Sequence, residues 1–327
     1  MADMLTRPAD LAEDRLVAAL DEGWGIGPVT LAYQPVGWGS HHWSVADAAG
    51  RRWFLTVDEL HRRRTGTESL DGAFRRLRAA LSVARGLRDS GLAFAVAPLP
   101  ARGGEPLVRV AGDFAAALYP HVDGQSFGWG EYTAPGHREA VLEMVVAVHT
   151  APAAARRDAL RDDFTVPHLD GLHATLTGDT PDCGPYAHRA ARLLAAHAKP
   201  VRDLLARYEN LVEQHRDTPA VLTHGEPHPG NTMLTPDGWR LIDWDTALLA
   251  PPERDLWLLA ADDESVLTAY AHATGHTPSP SLLDLYRERW TLADIAVDLA
   301  RFRHPHTGTA DDTKSFTLLT EIITSLT

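Results

Sequence analysis

The sequence predicts an α+β protein of two lobes, a β-rich first lobe followed by a mainly helical second one. Three observations carry this: the length of the chain, the confinement of short β-branched and aromatic runs to residues up to Tyr119, and the helical periodicity that takes over after Gly124. At 327 residues the chain passes the size at which one hydrophobic core is the usual solution, so two packed bodies are expected. A content of 44% hydrophobic and 23% charged residues is that of an ordinary globular protein.

Residues 8–22 read as an amphipathic helix, with Leu11, Leu16, Val17 and Leu20 at helical spacing and Asp10 as its N-cap. Residues 29–36, 43–46 and 52–57 read as strands of an antiparallel meander. They are separated by Gly37-Trp38-Gly39-Ser40 and Asp47-Ala48-Ala49-Gly50. Over 69–89 Leu70, Phe74, Leu77, Leu81, Ala84 and Leu87 recur every three or four positions, a helix whose other side carries Arg75, Arg78, Arg85 and Arg88. Strands are expected at 94–98, 107–110 and 114–119. Beyond Gly124 helices are expected at 139–150, 186–198, 201–215 and 282–302, interrupted by strand-like runs at 220–222, 232–234 and 239–242. No fixed-period repeat or low-complexity tract is found. The expected division is residues 1–119 for the first lobe, 120–124 for a hinge and 125–327 for the helical lobe.

The formal net charge of −13 repels nucleic acid and anionic lipid and favours cationic ligands, so neither nucleic acid nor membrane is expected as a partner. Cys183, the single cysteine, can form neither an internal disulfide nor a multi-cysteine zinc site, which fits a reducing compartment. The first ten residues carry acid and proline where a secretory signal needs a basic start and an apolar stretch. No apolar run approaches membrane-spanning length, so a cytoplasmic location is expected.

Polar groups concentrate in Thr223-His224-Gly225-Glu226-Pro227-His228-Pro229-Gly230-Asn231, followed after a short hairpin by Leu241-Ile242-Asp243-Trp244-Asp245. The prolines and glycines exclude a helix, leaving a rigid loop that aims side chains from its two ends. A carboxylate near its start, an amide five residues on and a carboxylate after the hairpin can converge on one divalent ion and one hydroxyl. Phosphoryl transfer needs that arrangement, because the groups must be placed in line and the phosphate charge neutralised. Glu226 would orient or deprotonate the acceptor hydroxyl, and Asn231 with Asp243 would hold Mg²⁺ on the nucleotide. A loop-capping role for Glu226 is the alternative. His224 and His228 suggest zinc by their spacing, but Pro227 and Pro229 prevent a helical pair of ligands. His224 is therefore read as loop support and His149 as a hydrogen-bonded core histidine.

These motifs resemble the catalytic loop His-Gly-Asp-x-x-x-x-Asn and the Ile-Asp-Trp metal motif of the aminoglycoside phosphotransferase family, which shares the protein-kinase fold. Val148-His149-Thr150 resembles the family's Leu-His helix ending, and Pro252-Glu253-Arg254-Asp255-Leu256 resembles the start of the helix that buttresses the catalytic loop. The resemblance looks closest to the spectinomycin-phosphotransferase-like branch. It implies a two-lobed protein-kinase-like fold, Mg²⁺, and ATP or GTP as co-substrate. It also implies a phosphate-covering turn at Gly37, Gly39 and Ser40, a hinge at Tyr119, His121 and Val122 whose backbone meets the base, and a structural role for Asp255.

Two departures stand out. Thr56 occupies the place of the strand lysine, there is no lysine before Lys199, and the helix at 69–89 lacks the partner glutamate. Arg52, Arg63, Arg64, Arg75 and Arg78 are the candidate replacements. Glu226 replaces the catalytic aspartate with one more methylene. Asp294 and Asp298, one turn apart on the 282–302 helix, either face a cationic substrate or form a solvated helix face. The function expected is transfer of a γ-phosphoryl group to a hydroxyl of a small cationic metabolite or antibiotic, an aminoglycoside or aminocyclitol first. The alternatives are nucleotidyl transfer on the same fold and non-catalytic nucleotide or ligand binding.

Overall fold

Strand alternation builds the first lobe. The structure, a computed structural model, describes residues 7–37, 39–261 and 263–326; Trp38 of the expected glycine turn lies outside them. Strands β1 (Val29–Gln34), β2 (His41–Asp47), β3 (Arg52–Glu59), β4 (Val108–Val110) and β5 (Phe114–Pro120) form one antiparallel sheet in the order β1-β2-β3-β5-β4. On β3, Trp53, Leu55 and Val57 enter a core with Leu16 and Leu20 of helix α1 (Glu13–Trp24). Phe54, Thr56 and Asp58 alternate with them and face the opposite side.

That opposite side is covered by helix α2 (Leu70–Asp89), which starts where Ser69 accepts a hydrogen bond from the Gly72 backbone N–H. Helix α2 has two apolar faces. Ala73, Leu77 and Leu81 meet Ala115 and Ala117 of β5, while Ala80, Val83, Ala84 and Leu87 join Val141, Met144 and Trp244 of the second lobe. One helix therefore holds both lobes.

In the second lobe β6 (Gln125–Ser126) pairs with β8 (Thr232–Thr235), which pairs with β9 (Gly238–Leu241), while β7 (Val221–Thr223) pairs with β10 (Leu248–Ala250). Around them stand α3 (His137–His149), α4 (Leu169–Leu176), α5 (Ala187–Ala196), α6 (Ala198–His215), α7 (Glu253–Leu259), α8 (Glu264–Thr274), α9 (Pro280–Phe302) and α10 (Ala310–Ser325). Helix α9 centres a separate core through Leu285, Leu292, Ile295 and Leu299. Among the described residues, no helix is long and apolar enough to cross a membrane.

Two expectations are corrected. Helix α1 begins at Glu13 after Ala12, so Asp10 is not its cap; Glu13 and Asp14 in the first turn complement the helix dipole instead. Residues 94–98 do not form a strand of the sheet. They stitch the lobes together: Val96 N–H donates to Leu241 O at 3.0 Å, Leu241 N–H to Phe94 O at 2.9 Å, and Leu99 N–H to Leu118 O at 2.7 Å. Pro98 and Pro100 lack the donors a regular ladder would need. On α10, Asp311 and Asp312 are buried, and Asp312 completes a capping box with Thr309 and takes Arg301 Nε at 2.7 Å.

Gly86 on α2 shows how close the lobes are, because a Cβ there would lie 2.8 Å from the Ala155 carbonyl oxygen and 3.0 Å from its Cα. A glycine to alanine change in a helix ordinarily stabilises by roughly 0.5–1 kcal/mol. Here backbone overlap outweighs that gain, so Gly86→Ala is expected to destabilise by about 1–3 kcal/mol, the usual cost of overpacking. A thermal melt checks this; a raised midpoint would contradict the close approach.

Candidate active site

The loop between β7 and β8 is held from beneath by one carboxylate. Asp255, fully buried at the start of α7, accepts the backbone N–H of His224 at 2.8 Å and of Gly225 at 2.6 Å. It also accepts His149 Nε2 at 3.0 Å, while His149 Nδ1 meets the Tyr270 hydroxyl at 2.8 Å. Burial pushes the Asp255 carboxyl up, but the hydrogen bond and charge of His149, with Arg254, hold it below the usual carboxylate range. Gly225 has φ +107°, and a Cβ there would lie 2.5 Å from Arg254 Nη2, so glycine is required on both counts.

His224 uses both ring nitrogens for the loop. Its Nδ1 accepts the Glu226 N–H at 3.2 Å, which leaves Nε2–H to donate to Ile242 O at 2.9 Å. Both nitrogens are engaged with backbone, and no lone pair is left for zinc.

The β8–β9 hairpin brings the other two motif residues together. Ile242 N–H donates to Asn231 O at 2.9 Å, setting Asn231 beside Asp243, and Asn231 Nδ2 donates to Glu226 O at 3.0 Å. The amide oxygen of Asn231 accepts no hydrogen bond among the described residues. Asp243 has φ +66° and lies exposed in the cleft. Desolvation in the cleft, then the Asp245 and Glu226 carboxylates, push its carboxyl well up. Glu226 is likewise lifted to about 7, by burial first and by Asp245 next, although 33% of its side chain meets the cleft. No backbone N–H reaches the Glu226 carboxylate among the described residues; its near neighbour is His228 Nε2 at 3.9 Å, and burial pushes His228 down to about 3. Glu226, Asp243 and Asp245 thus form a patch of hard oxygen donors with an excess of negative charge. Such a donor set fits Mg²⁺, which takes one or two protein ligands and completes its octahedron with phosphate and water.

Across the cleft, Gly37 and Gly39 have φ +74° and +88°, the left-handed region that favours glycine. The Ser40 hydroxyl is not available to a phosphate: it donates to Asp58 Oδ1 at 2.6 Å and accepts Arg63 Nη2 at 3.1 Å. Of the arginine candidates, Arg63 enters the cleft and reaches Asp245 Oδ2 at 2.5 Å. Arg52 binds Asp123 at the hinge, Arg64 the Glu68 carbonyl and Arg78 Glu105, and Arg75 is exposed. Tyr119 points the same way; burial, then Asp243, Asp58 and Asp245, push its phenol well up.

His121 and Val122 line a cavity of about 660 Å³ with Arg85, Pro98, Asp237 and Arg240. None of Glu226, Asn231 or Asp243 lines it, so it is separate from the motif residues.

The far side of Glu226 has little signature in the sequence. Trp129, 56% exposed in the β6–α3 loop, stacks on Trp290 of α9 with centroids 5.3 Å apart and meets the His228 ring at 4.2 Å. The available signal was a lone tryptophan between Gly128 and Gly130, and the spacing of Trp290 and Asp294, one turn apart on α9. Asp294 is half-buried; burial, then Asp298, lifts its carboxyl to about 7, and Trp290 hydrogen-bonds to it. Asp298 is 2% exposed against Ser315 of α10, so the pair is not a solvated helix face, and only Asp294 is close enough to act on Glu226.

A five-stranded antiparallel lobe, a bridging helix, and a helical lobe presenting Glu226, Asn231 and Asp243 define a kinase-like protein. The chain belongs to the phosphotransferase enzyme family, whose profile matches residues 33–289. Protein StrN of Streptomyces griseus is 33% identical over 274 residues, 78% of each chain. Spectinomycin phosphotransferase APH(9)-Ia, solved with ADP and spectinomycin, superposes with a TM-score of 0.69 at 16% identity, over 96% of this chain and 98% of that one. An ethanolamine kinase of Plasmodium vivax superposes with a TM-score of 0.57 at 10% identity, over 96% and 89%.

Asp255→Ala would leave two consecutive buried N–H groups and His149 without their acceptor, and a loss of about 3–5 kcal/mol is expected in urea unfolding. Because the folded carboxyl titrates below its ordinary value, its contribution is complete above the unfolded value of about 4 and fades as pH falls toward the folded one. The gap between parent and variant should therefore shrink below about pH 4; a gap constant through acidification would contradict an ionised Asp255.

Proposed function

We propose that this chain is a Mg²⁺-dependent small-molecule kinase that moves the γ-phosphoryl group of ATP or GTP to a hydroxyl of a small cationic acceptor, an aminoglycoside or aminocyclitol first. The observation that carries it is the convergence of Glu226, Asn231 and Asp243, through the Asn231–Ile242 and Asn231–Glu226 hydrogen bonds, above the Asp255 buttress. Membership of the phosphotransferase family supports it, as does the fold shared with a spectinomycin phosphotransferase. In this reading residues 1–119 cover the nucleotide, the backbone at 119–122 meets the base, and 125–327 carry the catalytic loop and acceptor pocket.

Asn231 Oδ1 and the Asp243 carboxylate would hold the metal, which when bound neutralises phosphate charge. Glu226 orients the acceptor hydroxyl and takes its proton onto the carboxylate late in a loose transition state. A carboxyl lifted toward neutrality is better matched to that task than an ordinary one. The Trp129–Trp290 stack offers the acceptor an apolar wall, and Asp294 a carboxylate for its ammonium group.

A mass-spectrometric screen of aminoglycosides, aminocyclitols and small amino alcohols with Mg²⁺ and either nucleotide tests the reading. A phosphoryl mass increment supports it; a nucleotidyl increment, or binding without product, replaces it with one of the alternatives. Asp243→Asn is expected to abolish transfer while the fold survives. Glu226→Gln should lower turnover by roughly 10²–10⁴ with nucleotide affinity little changed, and Glu226→Asp should also lose activity. A Gln variant of near-parent turnover would reject Glu226 as the base. Asp294→Asn should raise KM for an amine-bearing acceptor by roughly tenfold or more, the worth of one charge-assisted hydrogen bond, with kcat nearly unchanged. An unaltered KM would remove Asp294 from the pocket.

A further inference from the structure

Resting on that reading of the cleft, we infer that Arg63 is the nucleotide-phosphate clamp of this chain, held in place by Asp58 and Ser40. Thr56, where the strand lysine would stand, makes only a 3.4 Å hydrogen bond to Ala117 O and carries no charge. Two residues along the same face of β3 stands Asp58, 3% exposed. Arg63 follows on a backbone turn, its N–H bonded to Leu60 O at 3.2 Å, and its Nε returns to Asp58 Oδ1 at 2.6 Å. The acid stands on the strand and the base on the loop after it, so this ion pair has the opposite order to the lysine and glutamate it replaces.

The guanidinium lies where three independent features meet. The Ser40 hydroxyl fixes it from the glycine turn at 3.1 Å, and a Cβ on Gly39 would come within 3.8 Å of Nη2. Asp245, two residues beyond the metal-motif aspartate, receives Nη2 at 2.5 Å from the other lobe. These bonds use Nε and Nη2. The Nη1 donors have no protein acceptor among the described residues and remain for a phosphate oxygen. The Asp245 contact is the one a phosphate can displace, because Asp58 and Ser40 keep the side chain aimed without it.

Isothermal titration of the whole chain with ADP and with adenosine tests this, on the parent, Arg63→Gln, Arg63→Lys and Arg63→Gln/Thr56→Lys, with folding followed by thermal melts. Arg63→Gln should weaken ADP by roughly 10–100-fold, the worth of one or two charge-assisted hydrogen bonds, and leave adenosine unchanged. Arg63→Lys should fall between parent and Gln variant, and Thr56→Lys should restore part of the loss. Unchanged ADP affinity in Arg63→Gln overturns the inference. So does an equal loss for ADP and adenosine with a lowered melting point, which would make Arg63 a brace between the lobes. Phosphoryl transfer with Arg63-independent ADP binding removes this inference alone, and Arg63-dependent ADP binding without any product removes the kinase reading alone. A parent chain that does not bind ADP overturns both.

Discussion

The site depends on one buried carboxylate. Asp255 receives two consecutive backbone N–H groups from His224 and Gly225, a geometry that fixes the path of the chain into the proline-rich loop more firmly than side-chain packing could. Everything downstream inherits that path. His224 then clamps the loop to Ile242, Arg254 fills the space that Gly225 vacates, and the hairpin sets Asn231 beside Asp243. The prolines limit what the loop can do between these anchors. Positional accuracy at Glu226 is thus a property of the network beneath the loop and not of the loop alone.

Electrostatics explain why such a network must be rigid. Glu226, Asp243 and Asp245 crowd one side of the cleft; burial first and their mutual repulsion next lift the first two carboxyls, while Arg63 holds the third down against its own burial. A flexible loop would relieve that repulsion by moving apart. A buttressed one stores it as an affinity for cations.

Much of this was legible in the sequence because it is written in local patterns. The meander, α2, the catalytic loop and the β8–β9 hairpin all follow from periodicity and from residues with restricted backbones. What escaped was set by tertiary contact. Residues 94–98 have the composition of a strand, yet their hydrogen bonds go to Leu241 of the second lobe, while the next residue, Leu99, bonds to Leu118 of the first. Helix α4 is short and α10 is rich in threonine, so packing against α9 rather than helix propensity decides them. Arg63 was one of five candidate arginines, indistinguishable until the turn after β3 showed which one enters the cleft. Trp129 and Trp290 lie far apart in the chain, and no one-dimensional pattern marks such a pair.

The contact between Gly86 and Ala155 has a mechanical consequence. In kinase-like folds the helix beneath the sheet can swing, and its displacement disconnects the phosphate-binding pair from the metal motif. Here α2 is bonded to the second lobe by a whole apolar face and at backbone distance, so it belongs to the chassis and not to the moving parts. The Asp58–Arg63 ion pair stands off that helix as well, on β3 and the turn that follows it. Any change in how the sheet meets the second lobe must then be made against α2 and not by it.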